Sequence, residues 1–118
     1  MERMESHRTV VQTSNDADIW IQHGDEMMYK GNMAKALELY DKALEYKPDS
    51  ANALYNKANA LETLGKYEEA VICYDSALKC DPQDADCWFN KGLTLKKLGR
   101  EDEGMICINK GVHIAMGR

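Results

Sequence analysis

The sequence predicts an all-α solenoid of three helix-turn-helix units, and three observations predict it. Gly31, Gly65 and Gly99 recur at an interval of 34 residues. Laying residues 17–50, 51–84 and 85–118 in register aligns Trp20 with Leu54 and Trp88, Gly24 with Ala58 and Gly92, Ala36 with Ala70 and Gly104, and Tyr40 with Tyr74 and Ile108. Pro48 and Pro82, the only prolines, also share a column. A period of roughly 20 to 50 residues marks stacked supersecondary units, none of which can bury its apolar face alone.

Residues 1–16 match no unit, mix charges with Ser and Thr, and carry only Val10 and Val11 as an apolar pair. They read as a flexible leader ahead of a repeat domain over 17–118. In the first unit, residues 17–30 place Trp20, Met27 and Met28 at helical rather than alternating spacing. Residues 33–46 do the same with Ala36, Leu37, Tyr40, Ala43 and Leu44, and Gly31 breaks the chain between the two helices. The second unit repeats this with helices near 51–64 and 67–80, the third near 85–98 and 101–115. Asp16, Ser50 and Asp84 each precede a first helix, where a side-chain oxygen accepts from the free amides of the opening turn. Pro48 and Pro82 stop the second helices, because proline cannot supply the next amide. Small residues at Gly24, Ala58 and Gly92 let paired helices approach, and Trp20, Tyr40, Leu54, Tyr74 and Trp88 fill the space between them.

At 118 residues the chain has the length of one domain. Its net charge of -5 and lack of any basic tract argue against nucleic acid, whose backbone is held by Lys and Arg. No apolar run approaches the roughly 18 residues of a membrane span, and the N-terminus lacks the apolar centre of a secretory signal. A cytoplasmic protein is expected. Cys73, Cys80, Cys87 and Cys107 fall where helix periodicity puts small apolar residues, which fits free thiols. The seven-residue spacing of the first three spans about 10 Å of helix, too wide for tetrahedral metal ligation. Neither metal nor cofactor is expected.

No catalytic constellation is present either. His7, His23 and His113 are scattered, with no nucleophile spaced to a base, and the glycines fail the spacing of a phosphate loop. His23 reads as a partly buried packing residue. Lys57 and Lys91 read as solvated ammonium groups on apolar stems.

The columns resemble tetratricopeptide repeats, whose pattern is Trp-x-x-Leu-Gly-x-x-Tyr, then Ala-x-x-x-Phe, then Ala, then Pro. Unit one matches at Trp20, Gly24, Ala36, Tyr40, Ala43 and Pro48, unit two at Ala58, Ala70, Tyr74, Ala77 and Pro82, and unit three at Trp88 and Gly92. Departures are His23, Lys57 and Lys91 where Leu is usual, Met27 where Tyr is usual, and Gly104, Ile108, Gly111 and Met116 in the last helix. The resemblance implies a right-handed superhelix and a non-catalytic scaffold whose first helices line a groove for peptide segments of partner proteins. Carried over by position, that groove is lined by Ile21 and Asp25 of unit one, by Asn52, Tyr55, Asn56, Asn59 and Glu62 of unit two, and by Asp86, Phe89, Asn90, Leu93, Lys96 and Lys97 of unit three. Ile21, Tyr55 and Phe89 form an apolar column, and the Asn amides both donate to and accept from a peptide backbone.

One subclass of the family grips the acidic tail of heat-shock chaperones with Lys, Asn and Arg side chains. Of those clamp positions only Asn56 is in place; Ile21, Asp25, Asp86 and Asn90 occupy the rest, and carboxylates repel a carboxylate ligand. No chaperone-tail binding is expected, and a basic or mixed-charge segment with apolar anchors fits better. The last helix carries Ile106, Ile108, Val112, Ile114 and Met116, and no polar cap follows it. Its two mid-helix glycines cost about 1 kcal/mol each relative to Ala, so it is expected to fray unless covered. Self-association through that face, or a place in a longer array, is the alternative reading.

Overall fold

The structure, a computed structural model, describes residues 14–117. The expected leader lies outside the described residues, save that 14–16 open the first helix. Among the described residues there are six helices and no strand: α1 (Ser14–Tyr29), α2 (Met33–Tyr46), α3 (Ala51–Thr63), α4 (Tyr67–Cys80), α5 (Ala85–Lys97) and α6 (Glu101–Ala115).

The capping column holds in two units out of three. Ser50 Oγ accepts from the Ala53 amide and Asp84 Oδ1 from the Cys87 amide, both at 3.1 Å. Asp16 does not cap: α1 is already helical there, and the carboxylate sits in its first turn, where the helix dipole favours it. Asn32 caps α2 through the Lys35 amide at 3.1 Å. The repeat hid this, because the same column holds Lys66 and Arg100, which cannot accept. Gly31, Gly65 and Gly99 take φ of +84°, +80° and +81°, the left-handed conformation that ends a helix by folding the next two amides back onto its last carbonyls.

The helices pack in chain order, each on the next. Beyond that, Cα atoms of α1 approach those of α3 within 8 Å, and those of α3 approach α5, while among the described residues no such approach joins α2, α4 and α6. First helices therefore lie closer together than second helices, and they form the inner, concave surface. Tyr40 and Tyr74 are fully buried at the two junctions between units, packed among Ala36, Ala43 and Ala53 in one case and Ala70, Ala77 and Cys87 in the other.

Three expectations need correction. Lys57 and Lys91 make contacts: each reaches back to the second helix of the preceding unit, to Asp41 at 2.8 Å and Asp75 at 2.5 Å. The pairing repeats because first and second helices of successive units meet in the same register. His23 is exposed, its ring edge-on to Trp20 with centroids 6.3 Å apart, because α1 has no preceding unit against that flank among the described residues. The sixth helix is continuous, and its glycines are contact points. A Cβ at Gly104 would lie 2.7 Å from the Gly92 carbonyl oxygen, and one at Gly111 would lie 2.8 Å from that of Ala85. Missing side chains let α6 press backbone to backbone on α5, so the propensity they forfeit is offset by packing.

Candidate peptide-binding surface

The inner surface is organised by a polar motif that repeats with the chain. At the first junction Tyr40 Oη donates to Asp25 Oδ1 at 2.5 Å, and Asn56 Nδ2 donates to the same oxygen at 3.0 Å. At the second, Tyr74 Oη donates to Asn59 Oδ1 at 2.5 Å and Asn90 Nδ2 to the same oxygen at 3.3 Å. Each motif takes one residue from a first helix, one from its partner helix and one from the next unit. Asn90 also donates to Tyr55 Oη at 2.8 Å, Asn56 to Asn52 at 3.4 Å, and Lys97 to Glu62. In the third unit the equivalent positions are Leu93 and Ile108, so the polar series ends there.

Burial pushes the phenols of Tyr40 and Tyr74 well above their ordinary value of 10.0, with the Asp25 hydrogen bond adding to the shift of Tyr40. A raised folded-state pKa means the unfolded chain ionises first. Their stabilisation is therefore complete below pH 10 and declines above it. The urea midpoint is expected to fall between pH 9 and pH 11, and to fall less in a Tyr40→Phe, Tyr74→Phe variant; equal falls in both would remove the tyrosines as the cause. The Cys87 thiol, also raised by burial, is pushed up to about 12, which leaves it unreactive at neutral pH.

Between α3 and α5 the inner surface opens into a cleft of about 640 Å³. Of the groove residues the sequence nominated, the cleft brings together Asn59, Glu62, Asn90, Leu93, Lys96 and Lys97. Thr63, Tyr74 and Thr94 line it as well and were not foreseen. Tyr74 reads in sequence as pure core, yet it lines the cleft while only 1% exposed, its hydroxyl donating to Asn59. Asp25, Asn52 and Asn56 cluster separately at the first junction, and Asp86 is exposed at the start of α5.

The apolar column does not line the groove evenly. Ile21 is only 4% exposed and belongs to the core, Tyr55 is half-buried with its ring tilted on Tyr74, and Phe89 alone is open at 40%. The gradient has a simple origin: the first helix of the next unit covers each member of the column, and no described unit follows Phe89. Ile106 and Val112 of α6 and Met116 at its C-cap are exposed, whereas Ile108 and Ile114 are half-buried, Ile108 lying against Gly92. Among the described residues no three His, Cys, Asp or Glu side chains gather as a metal-holding group, and no helix is long and apolar enough to cross a membrane.

Stacked helical hairpins with a polar inner cleft define a helical-repeat protein. The chain belongs to the tetratricopeptide repeat family: one family model of that description matches residues 21–85 and a second matches 73–105. Over 54 residues it is 46% identical to an uncharacterized protein of Methanocaldococcus jannaschii, a match covering 46% of this chain and 63% of that one. The crystal structure of MamA superposes with a TM-score of 0.83 at 22% identity, over 87% of this chain and 60% of MamA. The second TPR of Spaghetti (RPAP3), bound to the HSP90 peptide SRMEEVD, superposes with a TM-score of 0.83 at 21% identity, over 86% of this chain and 94% of that one. The chain thus spans less than two thirds of the archaeal relative and of MamA.

Proposed function

We propose that this protein is a non-catalytic scaffold that recruits a peptide segment of a partner protein along its inner surface, with the cleft between α3 and α5 as the principal subsite. The observation that carries this reading is the cleft itself, where amides, hydroxyls and charges of both signs surround the apolar Leu93. Such a lining suits a peptide backbone with an apolar anchor and mixed-charge side chains. Chaperone tails are a poor fit. The peptide-bound neighbour shares the fold, but here Asp25 is engaged by Tyr40 and Asn56, and Asp86 stands exposed, where the clamp needs amide and cationic donors. RNA is disfavoured by the net charge of -5.

Tyr55 is a poor probe of the groove, because its hydroxyl accepts from Asn90 of the next unit and its ring packs on Tyr74. Phe89 and Leu93, each 40% exposed, report on the surface without disturbing the core. In a peptide-array screen, Phe89→Ala, Leu93→Ala is expected to lose at least tenfold in affinity for captured mixed-charge peptides while keeping wild-type helicity. An acidic chaperone-tail peptide and mixed RNA are expected to stay unbound at low salt. Unchanged peptide capture by the folded double variant would refute the groove.

A second reading rests on one comparison. Val71 and Leu78 of α4 are each 7% exposed beneath α5, whereas Met105 and Val112, their equivalents on α6, are 42% and 40% exposed. A further helix laid on α6 would cover them, from a second copy or a longer array. Sedimentation at increasing concentration tests the second copy.

A further inference from the structure

We infer a second docking surface on the outer back of the array, centred on Ile72 and Ile106, for an amphipathic helix of a partner protein with basic residues flanking apolar anchors. Both isoleucines stand in one repeat column, on the second helices of adjacent units, and they are 65% and 68% exposed. The fold does not ask for isoleucine there. The same column in unit one holds Glu38, which is exposed and pairs with Lys35 at 3.2 Å, so repeated backbone geometry accepts a charge at this position. Two large aliphatic side chains stand in water at a position where the fold accepts a carboxylate, so the core does not require them, and apolar side chains repeated on one side of an array are what an amphipathic partner helix covers.

The surroundings select the occupant. One helical turn from the two isoleucines stand Glu68, Glu69 and Asp75 on α4, and Asp102, Glu103 and the single cation Lys110 on α6, so carboxylates outnumber ammonium groups five to one among these neighbours. Arg100 is taken up by Glu103 at 2.9 Å and lies 3.7 Å from Glu68, and Asp75 holds Lys91. Among the described residues Glu69 and Asp102 have no ion-pair partner within 4.0 Å. An apolar pair in a mostly acidic frame is complementary to apolar anchors in a basic frame. A second copy would bring the same carboxylates into the contact, and an anionic membrane would be repelled. No Cα of α4 comes within 8 Å of one on α6, so the anchors must bridge more than that distance. Apolar residues seven or eight apart on one helix span about 10–12 Å and meet that requirement.

The test uses a labelled synthetic helix with Leu at positions 1 and 8 and Lys at the flanking positions, together with its Glu-for-Lys counterpart, measured by fluorescence anisotropy. The Lys peptide is expected to bind wild type, and to lose at least tenfold in affinity for Ile72→Gln, Ile106→Gln and for Glu69→Lys, Asp102→Lys. The Glu peptide is expected not to bind. Binding by the isoleucine variant within twofold of wild type overturns the inference. So does loss of binding only in the Phe89→Ala, Leu93→Ala variant, which would place the peptide in the groove. Wild-type dimers that the isoleucine variant dissolves would overturn it in favour of self-pairing. A failure of the groove variant to affect its own peptides leaves this surface untouched, so the two readings fail separately.

Discussion

Replacing Gly92 with alanine is expected to destabilise the array by about 1–3 kcal/mol, the range for overpacking a tight contact. Helix propensity alone argues the opposite sign, since alanine is better than glycine in a helix interior by about 1 kcal/mol. Geometry decides between them. A Cβ at Gly92 would lie 2.6 Å from the Gly104 carbonyl oxygen, 2.6 Å from Ile108 Cγ1 and 3.0 Å from the Ile108 amide nitrogen. Two of those three atoms are backbone, so the clash is relieved only by moving α6 as a whole off α5. In a thermal melt the cost corresponds to about 4–8 °C for each kcal/mol in a domain of this size. A rise in melting temperature would mean that the two helices are not packed backbone to backbone. Gly104→Ala should behave alike, because its Cβ would meet the Gly92 carbonyl oxygen from the other side at 2.7 Å.

Removing the Tyr74 ring is expected to cost more, about 3–5 kcal/mol, as for other fully buried aromatics. Against a total stability of about 5–15 kcal/mol that is enough to part the array at its second junction. Tyr74 is 1% exposed, its ring lies 6.1 Å from that of Tyr55, and its hydroxyl holds Asn59, which in turn receives Asn90 of the next unit. Repeat arrays transmit stability through nearest-neighbour interfaces, so Tyr74→Ala should expose amides of α5 and α6 to hydrogen exchange before those of α1 and α2. Tyr74→Phe isolates the hydroxyl: about 1 kcal/mol of lost stability, with Asn59 released into the cleft. If the alanine variant melted within 1 kcal/mol of wild type, as judged against that same hydrogen-bond scale, the tyrosine would not be the junction it is taken for here.

Helix positions were legible in the sequence because they depend on local chemistry. Glycines at a fixed interval end first helices whatever surrounds them, Ser50 and Asp84 cap through their own next turn, and apolar spacing tells a helix from a strand. Asp16 misled because a capping residue type can also sit in the first turn, and only residues further upstream decide which. The groove was legible in part for a related reason. Its polar residues lie on the inner faces of first helices, which register alone identifies, and five of them line one cleft with Leu93. What register cannot give is coverage by a neighbour. Ile21, Tyr55 and Phe89 are equivalent by column, yet they run from buried to open because a following helix lies over the first two and no described helix lies over the third.

Contacts across units were the least visible. Lys57 with Asp41, and the Asp25, Tyr40, Asn56 motif, join residues 15 to 31 positions apart whose pairing requires knowing how one hairpin sits on the next. The glycines of α6 were misjudged for the same cause: taken alone, a mid-helix glycine weakens its helix, and its use appears only when another backbone occupies the missing side chain's place.

By itself, then, the sequence determined the repeat length, the six helices, their turns and the family, because each of these follows from interactions within a few residues or from the recurrence of a column. Tertiary structure alone decided which members of a column are buried, which polar groups are already engaged and where the inner surface opens. Those properties depend on how far apart successive helices stand, a distance set by side chains that are remote in the chain and adjacent only after folding.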